Sequence, residues 1–549
     1  MRFLNRRLKV RGRKKQLFIL GLASFILVSF WFFVSGQPEE TNGSYPQDEK
    51  GCTSIIAGRL ATVDGSVITA HSCDGNYRNW LNIVPRKKNP AGSTTTIFSG
   101  LMHTETPWDG RNVSRRGEIP EVEETFAFLN TAYPCMNEYQ LAIGETTIGG
   151  RRQLYNPEGL FVIEELERIM LQRTRTAREA IKLAGELVKT YGYGDNGECL
   201  TIADPKEVWH FEIFGAGLGQ KGAVWAAVRI PDDHVGISAN IPRIGELNLN
   251  DPNNFLASEN VISLAVEKGW YDPKSGKPFR FWEAYSGRKP FGIREYFIFK
   301  TLAPSLKISL DDEALPFSIK PENKVSVRDI LKLYRETYAG TEYDMTKNLM
   351  VKDPRSGEMV KSPVANPWMS RDLMLLLNTL KPGVVEYQRP VAIAACAYAH
   401  VIQCRGWLPD PVGGVCWFAF DNPGQSARIP IFAGVTELLP SFELCSQHEF
   451  RPDSAAWAFR RANRLATVKW GETGPMIASA IKEFEDRAFE ELPDIEKRVQ
   501  QFYKTLPAAE AEQKSKAYLT KYTMDFARAA VQKYWELGNK FWAMFARGF

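Results

Sequence analysis

Hydrophobic residues along this chain follow two periods, and the changes of period mark its elements. Short β-branched runs at 53–58 and 66–71, separated by a turn through Asp64-Gly65, predict a hairpin. Runs at 123–129 and 139–148 predict a second strand pair around residues 135–138. The spacing then becomes helical, with apolar residues three and four apart over 159–173 and 176–191. The second of these opens on a capping box, Thr176 with Glu179, and stops at Gly192. Strand-like runs follow at 199–203, 208–214, 223–230 and 235–240, and again at 390–404, 414–420 and 428–433. Residues 250–385 are mixed and partly helical. Beyond 454 the chain is helical, with a long amphipathic stretch over 508–545. Strand pairs, a helix pair and further strands predict a layered α+β fold with antiparallel sheets.

The N-terminus departs from this pattern. Residues 1–16 hold eight basic side chains and no acid, and 17–34 form an apolar run broken only by Gly21, Ser24 and Ser29. Eighteen residues reach the lower limit for crossing a bilayer, and a basic flank stays cytoplasmic. A membrane anchor and a signal peptide cleaved after Gly36 are both open readings. Either places the remaining chain outside the cytoplasm, as a membrane-anchored precursor or an exported protein. Residues 35–51, rich in polar and turn-forming types, read as a linker or propeptide.

Charge then loses its first meaning. The net charge is +5, yet the basic N-terminus and the acidic linker account for all of it, so the body from residue 52 on is neutral. No basic footprint for nucleic acid remains. A hydrophobic fraction of 44% excludes global disorder and leaves ample material for a core.

Several chemical motifs are excluded in turn. No metalloprotease, serine-hydrolase elbow or phosphate-loop signature is present. A GxGxxG pattern at Gly217, Gly219 and Gly222 precedes a strand-like run, so no helix N-terminus is there to receive a phosphate. The six histidines and eight cysteines show no metal-ligand spacing, and no cofactor is implied.

The informative constellation begins at Cys52, directly after Gly51 at the end of the linker. A thiol on a chain terminus carries its own base, because an α-amine with a pKa of about 7.7–8 can take the thiol proton near neutrality. Such an amine needs an acidic partner. Asp74 ends the segment His71-Ser-Cys-Asp-Gly75, on a strand that runs back beside Cys52. An ordinary buried thiol and an ordinary turn would give the same pattern, so the residues alone leave the question open.

A wider similarity bears on it. Cys52-Thr-Ser-Ile-Ile-Ala-Gly and Thr62-Val-Asp-Gly-Ser-Val-Ile-Thr-Ala-His-Ser-Cys-Asp-Gly75 resemble the opening of the N-terminal-nucleophile (Ntn) cysteine dipeptidases of the A/D type. These are related to choloylglycine hydrolases and penicillin V acylases. Met136-Asn-Glu-Tyr-Gln-Leu-Ala-Ile-Gly-Glu-Thr147, residues 203–212, 229–240 and 403–417, and Arg389-Pro-Val continue the match in order. The resemblance implies an Ntn-hydrolase αββα sandwich over 52–450. A helical insertion at about 250–385 and a helical C-terminal region at 451–549 would complete the chain, neither with a clear role in the chemistry. It implies a mature chain starting at Cys52, freed by cleavage of Gly51–Cys52. Cys52 would be nucleophile and, through its amine, base. Asp74 matches the aspartate that hydrogen-bonds the nucleophile region, and Asn240 the asparagine of the oxyanion hole. Arg389 is the candidate for the catalytic arginine. His71 stands where the acylases carry an arginine.

The expected activity is hydrolysis of dipeptides or short peptides. A non-peptide amidase of the same fold and an inactive membrane-tethered binding protein are the alternatives. Self-association into a homo-oligomer is left open.

Overall fold

The computed structural model describes residues 51–547. The basic segment, the apolar run 17–34 and the linker up to residue 50 lie outside the described residues, and so do the expectations made for them. Among the described residues, no helix is long and apolar enough to cross a membrane.

Two antiparallel sheets carry the architecture. The first runs in the order Ser318–Ile319, Val235–Ser238, Ser54–Ala57, Val67–Asp74, Cys396–Cys404, Val415–Phe420 and Ile429–Phe432. The second runs Phe255–Ala257, Ala223–Arg229, Val208–Gly215, Glu198–Ala203, Ala142–Thr147, Met136–Asn137, Phe128–Asn130 and Asn82–Val84. The central strands Val67–Asp74 and Cys396–Cys404 are buried at every position. Their polar side chains, Thr69, His71, Ser72 and Asp74 in one and His400 and Gln403 in the other, are buried with the rest.

One face of each sheet packs against the other sheet. Hydroxyls close the gap: Thr69 Oγ1 lies 2.7 Å from Thr201 Oγ1, Thr146 Oγ1 lies 2.5 Å from Ser238 Oγ, and Ser54 Oγ donates to the Glu145 carbonyl at 3.1 Å. Buried hydroxyls paired in this way meet the hydrogen-bonding requirement of a polar group removed from water.

Helices cover the outer faces. Ile163–Arg173 and Ala177–Tyr191 lie on the second sheet, where Gly185 lets the helix come so close that an added Cβ would stand 2.6 Å from the Trp225 ring. The Thr176–Glu179 capping box forms as predicted. Ala455–Ala466, Trp470–Thr505 and Ala508–Met544 lie on the first sheet. Trp417 stacks on Phe489 at 4.4 Å, and Thr523 Oγ1 donates to the Pro430 carbonyl. The layers therefore run helix, sheet, sheet, helix.

Five details differ from the expectation. The runs 123–129 and 139–148 are not partners, because the short strand Met136–Asn137 pairs between them. Asn137 makes this possible: its Nδ2 donates to the Leu171 and Thr174 carbonyls, and its Oδ1 accepts from the Tyr139 and Leu141 amides. The hairpin's second strand runs on to Asp74, past the predicted end at 71. Residues 390–395 form a loop before the strand Cys396–Cys404, and Val235–Ser238 stops short of Asn240. The region 250–385 is more than an insertion, since it supplies an edge strand to each sheet, Phe255–Ala257 and Ser318–Ile319. The glycine-rich 217–222 joins two antiparallel strands in register Gly215↔Ala223, which is the hairpin its sequence predicted.

Candidate active site

Cys52 enters the first strand at the rim of the sandwich and is 1% exposed. The neighbouring strand is locked to it by a reciprocal pair, Ser72 N–H to the Thr53 carbonyl at 2.9 Å and Thr53 N–H to Ser72 Oγ at 3.1 Å. This register carries Asp74 to the Gly51–Cys52 peptide. Gly51 N–H donates to the Asp74 carbonyl at 3.2 Å, and Ser72 Oγ donates to the Asp74 carboxylate at 3.0 Å.

Two guanidinium groups converge on the same peptide. Arg389 Nη2 donates to Asp74 Oδ2 at 2.8 Å and to the Gly51 carbonyl at 2.6 Å. Its loop is held by Tyr338, whose hydroxyl donates to the Arg389 carbonyl at 2.8 Å. Arg294, second residue of the helix Ile293–Leu302, donates through Nη1 to the Cys52 carbonyl at 2.7 Å, to Thr53 Oγ1 at 2.9 Å and to the Gly51 carbonyl at 3.3 Å. Its Nη2 donates to the Ala239 carbonyl and to Asn240 Oδ1 at 2.8 Å. Tyr334 completes the frame, donating to the Thr53 carbonyl at 2.7 Å.

Asn240 sits at φ +67°, a left-handed conformation that asparagine tolerates better than most residues. The turn aims its side chain at Gly51, while its Nδ2 donates to the Thr147 carbonyl at 2.7 Å. Cys52, Asp74, Asn240 and Arg389 thus meet around one peptide bond, although they are spread over more than 330 residues of chain.

The thiol faces the other way, into the gap between the sheets. A hydrogen bond with Cys73, burial and the nearby Glu145 carboxyl push the Cys52 thiol well above its ordinary value. Burial pushes Glu145 up to about 7, and burial lowers His71 to about 4, so this imidazole is neutral at pH 7. His71 Nδ1 lies 2.6 Å from the Glu145 backbone carbonyl, which makes Nδ1 the protonated nitrogen. Cys52, His71 and Glu145 together offer the donor set of a metal site, with one ligand atom from each within 4.8 Å of the others.

Sequence spacing missed Arg294, Tyr334, Tyr338 and Glu145. The first three come from 250–385, a region whose role the sequence leaves open. No local signal marks them, because each acts through a contact made only in the folded chain. Glu145 did stand inside a matched segment, but nothing there showed that its carboxyl would face Cys52.

The family described as Peptidase family C69 matches residues 51–483. This chain belongs to peptidase family C69. A probable dipeptidase of Salmonella dublin is 26% identical over 409 residues, covering 71% of this chain and 82% of its own length. A probable dipeptidase B of Streptococcus pyogenes serotype M1 is 23% identical over 495 residues, covering 87% of this chain and 91% of its own. A probable dipeptidase B of Lactococcus lactis is 24% identical over 516 residues, covering 88% and 94%. The family makes the chain a peptidase, a hydrolase of peptide bonds, in agreement with the resemblance read from its motifs. In this C69 peptidase the family match begins at Gly51, the residue whose carbonyl the two arginines hold.

Proposed function

We propose that this C69 peptidase is a cysteine-type dipeptidase on an Ntn-hydrolase sandwich, with Cys52 as an N-terminal nucleophile exposed by cleavage of Gly51–Cys52. The observation that carries the reading is the carbonyl of the Gly51–Cys52 peptide, held by both Arg389 and Arg294. Preorganised donors at a carbonyl stabilise the oxyanion that forms when a nucleophile adds to it. In the first step the Cys52 sulfur adds to the Gly51 carbonyl carbon and the thiol proton passes to the departing amide nitrogen. The C–N bond breaks, leaving a thioester and a free α-amine. Water then hydrolyses the thioester, giving the Gly51 carboxylate and the thiol.

Turnover repeats this chemistry on substrate. The neutral α-amine of Cys52 accepts the thiol proton, and the thiolate adds to the dipeptide carbonyl. The amine returns its proton to the leaving nitrogen, and water resolves the thioester. Asp74, fixed by Arg389 and Ser72, lies where it can orient the amine. Asn240 is the oxyanion donor that the resemblance assigns. Dipeptides as substrates rest on the names of the relatives. The same cut would separate residues 52–549 from the apolar run 17–34, turning a membrane precursor into a released enzyme outside the cytoplasm.

The experiment is intact-mass and N-terminal analysis of wild type and Cys52→Ala, each assayed on a dipeptide panel and on bile-salt and penicillin amides. Wild type is expected to begin at Cys52 and to hydrolyse dipeptides. Cys52→Ala is expected to remain uncut, folded and inactive. Dipeptide hydrolysis by Cys52→Ala at the wild-type rate would end the reading, and preference for the non-peptide amides would replace its substrate.

A further inference from the structure

We propose that Cys52 and Cys73 are a modification site, forming a reversible disulfide that shuts the enzyme off by consuming its nucleophile. The register between the Cys52 end of the first strand and Val67–Asp74 carries the inference. Ala57 stands opposite Ile68 and Thr53 opposite Ser72, both antiparallel, and the same count sets Cys52 opposite Cys73. The pairs on either side are hydrogen-bonded, Gly51 N–H to the Asp74 carbonyl and Ser72 N–H to the Thr53 carbonyl. Hydrogen-bonded and non-hydrogen-bonded pairs alternate along an antiparallel ladder, so Cys52 and Cys73 are a non-hydrogen-bonded pair with Cα atoms about 4.5 Å apart. Disulfides span Cα separations of about 4.4–6.8 Å, so the backbone already stands at bonding distance.

Side chains of directly opposed residues share a face of the sheet. Here both thiols enter the gap between the sheets, where they are hydrogen-bonded to each other. A third thiol, Cys396, stands opposite Asp74 and donates to the Tyr398 carbonyl at 3.0 Å. The surroundings suit an uncharged product. Burial pushes Cys73 up to about 11, and the bond to Cys73 together with burial pushes Cys52 well above its ordinary value. The reduced pair therefore gains no stability as a thiolate, which is the feature that makes some disulfides easy to reduce.

The oxidant is a small-molecule disulfide, R–S–S–R. The Cys52 sulfur attacks one of its sulfurs, the S–S bond breaks, and one RSH leaves with the Cys52 proton. The Cys73 sulfur then attacks the Cys52 sulfur of the mixed disulfide, and the second RSH leaves with the Cys73 proton. The protein loses two electrons and two protons, and the oxidant is reduced to two thiols. Cys52 is 1% exposed in the uncut chain, so the attack belongs to the chain cut at Gly51–Cys52. There substrate must reach the same sulfur, and the α-amine takes its proton. To that extent the inference rests on the proposed function, which also places the cut chain outside the cytoplasm, where disulfides persist. It goes beyond that function in giving Cys73 a part.

The test equilibrates the purified protein with reduced and oxidised glutathione in graded ratios. Free thiols are then blocked under denaturing conditions, linked peptides are mapped by mass spectrometry, and the N-terminus is read in the same sample. The expected result is a Cys52–Cys73 peptide pair, with two free thiols lost per cut chain in one step and recovered with dithiothreitol. Cys73→Ser should instead hold glutathione on Cys52. A cut chain overturns the proposal if it keeps both thiols free in oxidised glutathione, stops at the glutathione adduct of Cys52, or links Cys52 to another cysteine. If Cys73→Ser fails to fold, the wild-type map decides alone. A chain found uncut counts against the dipeptidase reading and not against the pair. Urea below the unfolding transition then admits glutathione, and presence or absence of the linked peptide decides in the same way.

Discussion

Gly51 adopts φ +137°, and a Cβ built on it would lie 2.3 Å from Asn240 Oδ1. Asn240 cannot yield easily, because Thr147 and Arg294 hold its amide from both ends. Both the backbone conformation and the close approach therefore require glycine. Gly51→Ala should slow cleavage at Gly51–Cys52 by at least tenfold, read as uncut chain by intact mass. Cleavage at the wild-type rate would show that the Asn240 contact does not govern the cut. Arg389 and Asp74 form a buried pair, 4% and 0% exposed in their side chains. Removing one partner of such a pair leaves an uncompensated charge, so Arg389→Met should lower stability by about 3–5 kcal/mol. Urea titration of the purified variant checks this.

His71 gives a prediction with a sign. An unfolded histidine titrates near 6.5, whereas burial holds His71 near 4. As pH falls through that window the unfolded chain takes up a proton that the folded chain refuses. Stability attributable to this residue is fully present above 6.5 and declines toward 4, by up to about 3 kcal/mol. His71→Gln should flatten that limb of the melting-temperature-against-pH curve. An unchanged limb would assign the acid sensitivity to another group.

At the scale of elements, the site depends on segments far from Cys52 in the chain. The helix Ile293–Leu302 exists at the site to deliver one side chain, since Arg294 ties the Cys52 carbonyl to the Ala239 carbonyl and so fixes the first strand against the end of Val235–Ser238. The helix Ala508–Met544 has an equivalent anchoring contact on the far face. Tyr534 donates to the Gln425 carbonyl and accepts from the Ala427 amide at 2.8 Å, fully buried. Tyr534→Phe strands both backbone groups, and the expected loss is about 1–3 kcal/mol, visible as a lower melting temperature. No change would mean that water takes both positions. Much of this scale was legible beforehand. The hairpin at Cys52, the helix pair with its Thr176–Glu179 box and the C-terminal helices all follow from local periodicity and capping. The strand Met136–Asn137 was not, because two residues carry no period and Asn137 acts through carbonyls more than 30 positions away.

No disulfide cross-links the molecule among the described residues, where all eight cysteines are free thiols. A chain of this size buries enough apolar surface to fold without cross-links. A reducing agent should therefore leave the melting temperature unchanged, and a drop on reduction would reveal a disulfide formed in solution.

What the sequence determined by itself is local or contiguous: the α+β class, most strands and helices, the neutral body, and the Cys52–Asp74 opening whose spacing fits one hairpin. Its motifs also named Asn240 and Arg389 without saying what would hold them there. Only the tertiary structure decided that Arg294, from a region without a motif, shares the Gly51 carbonyl with Arg389. It alone turned Cys52, His71 and Glu145 toward one another. The physical reason is that a guanidinium or a carboxylate acts through space, over a few ångströms. Residues 52, 145, 240, 294 and 389 become neighbours only when two sheets stack and the chain returns five times to the same rim.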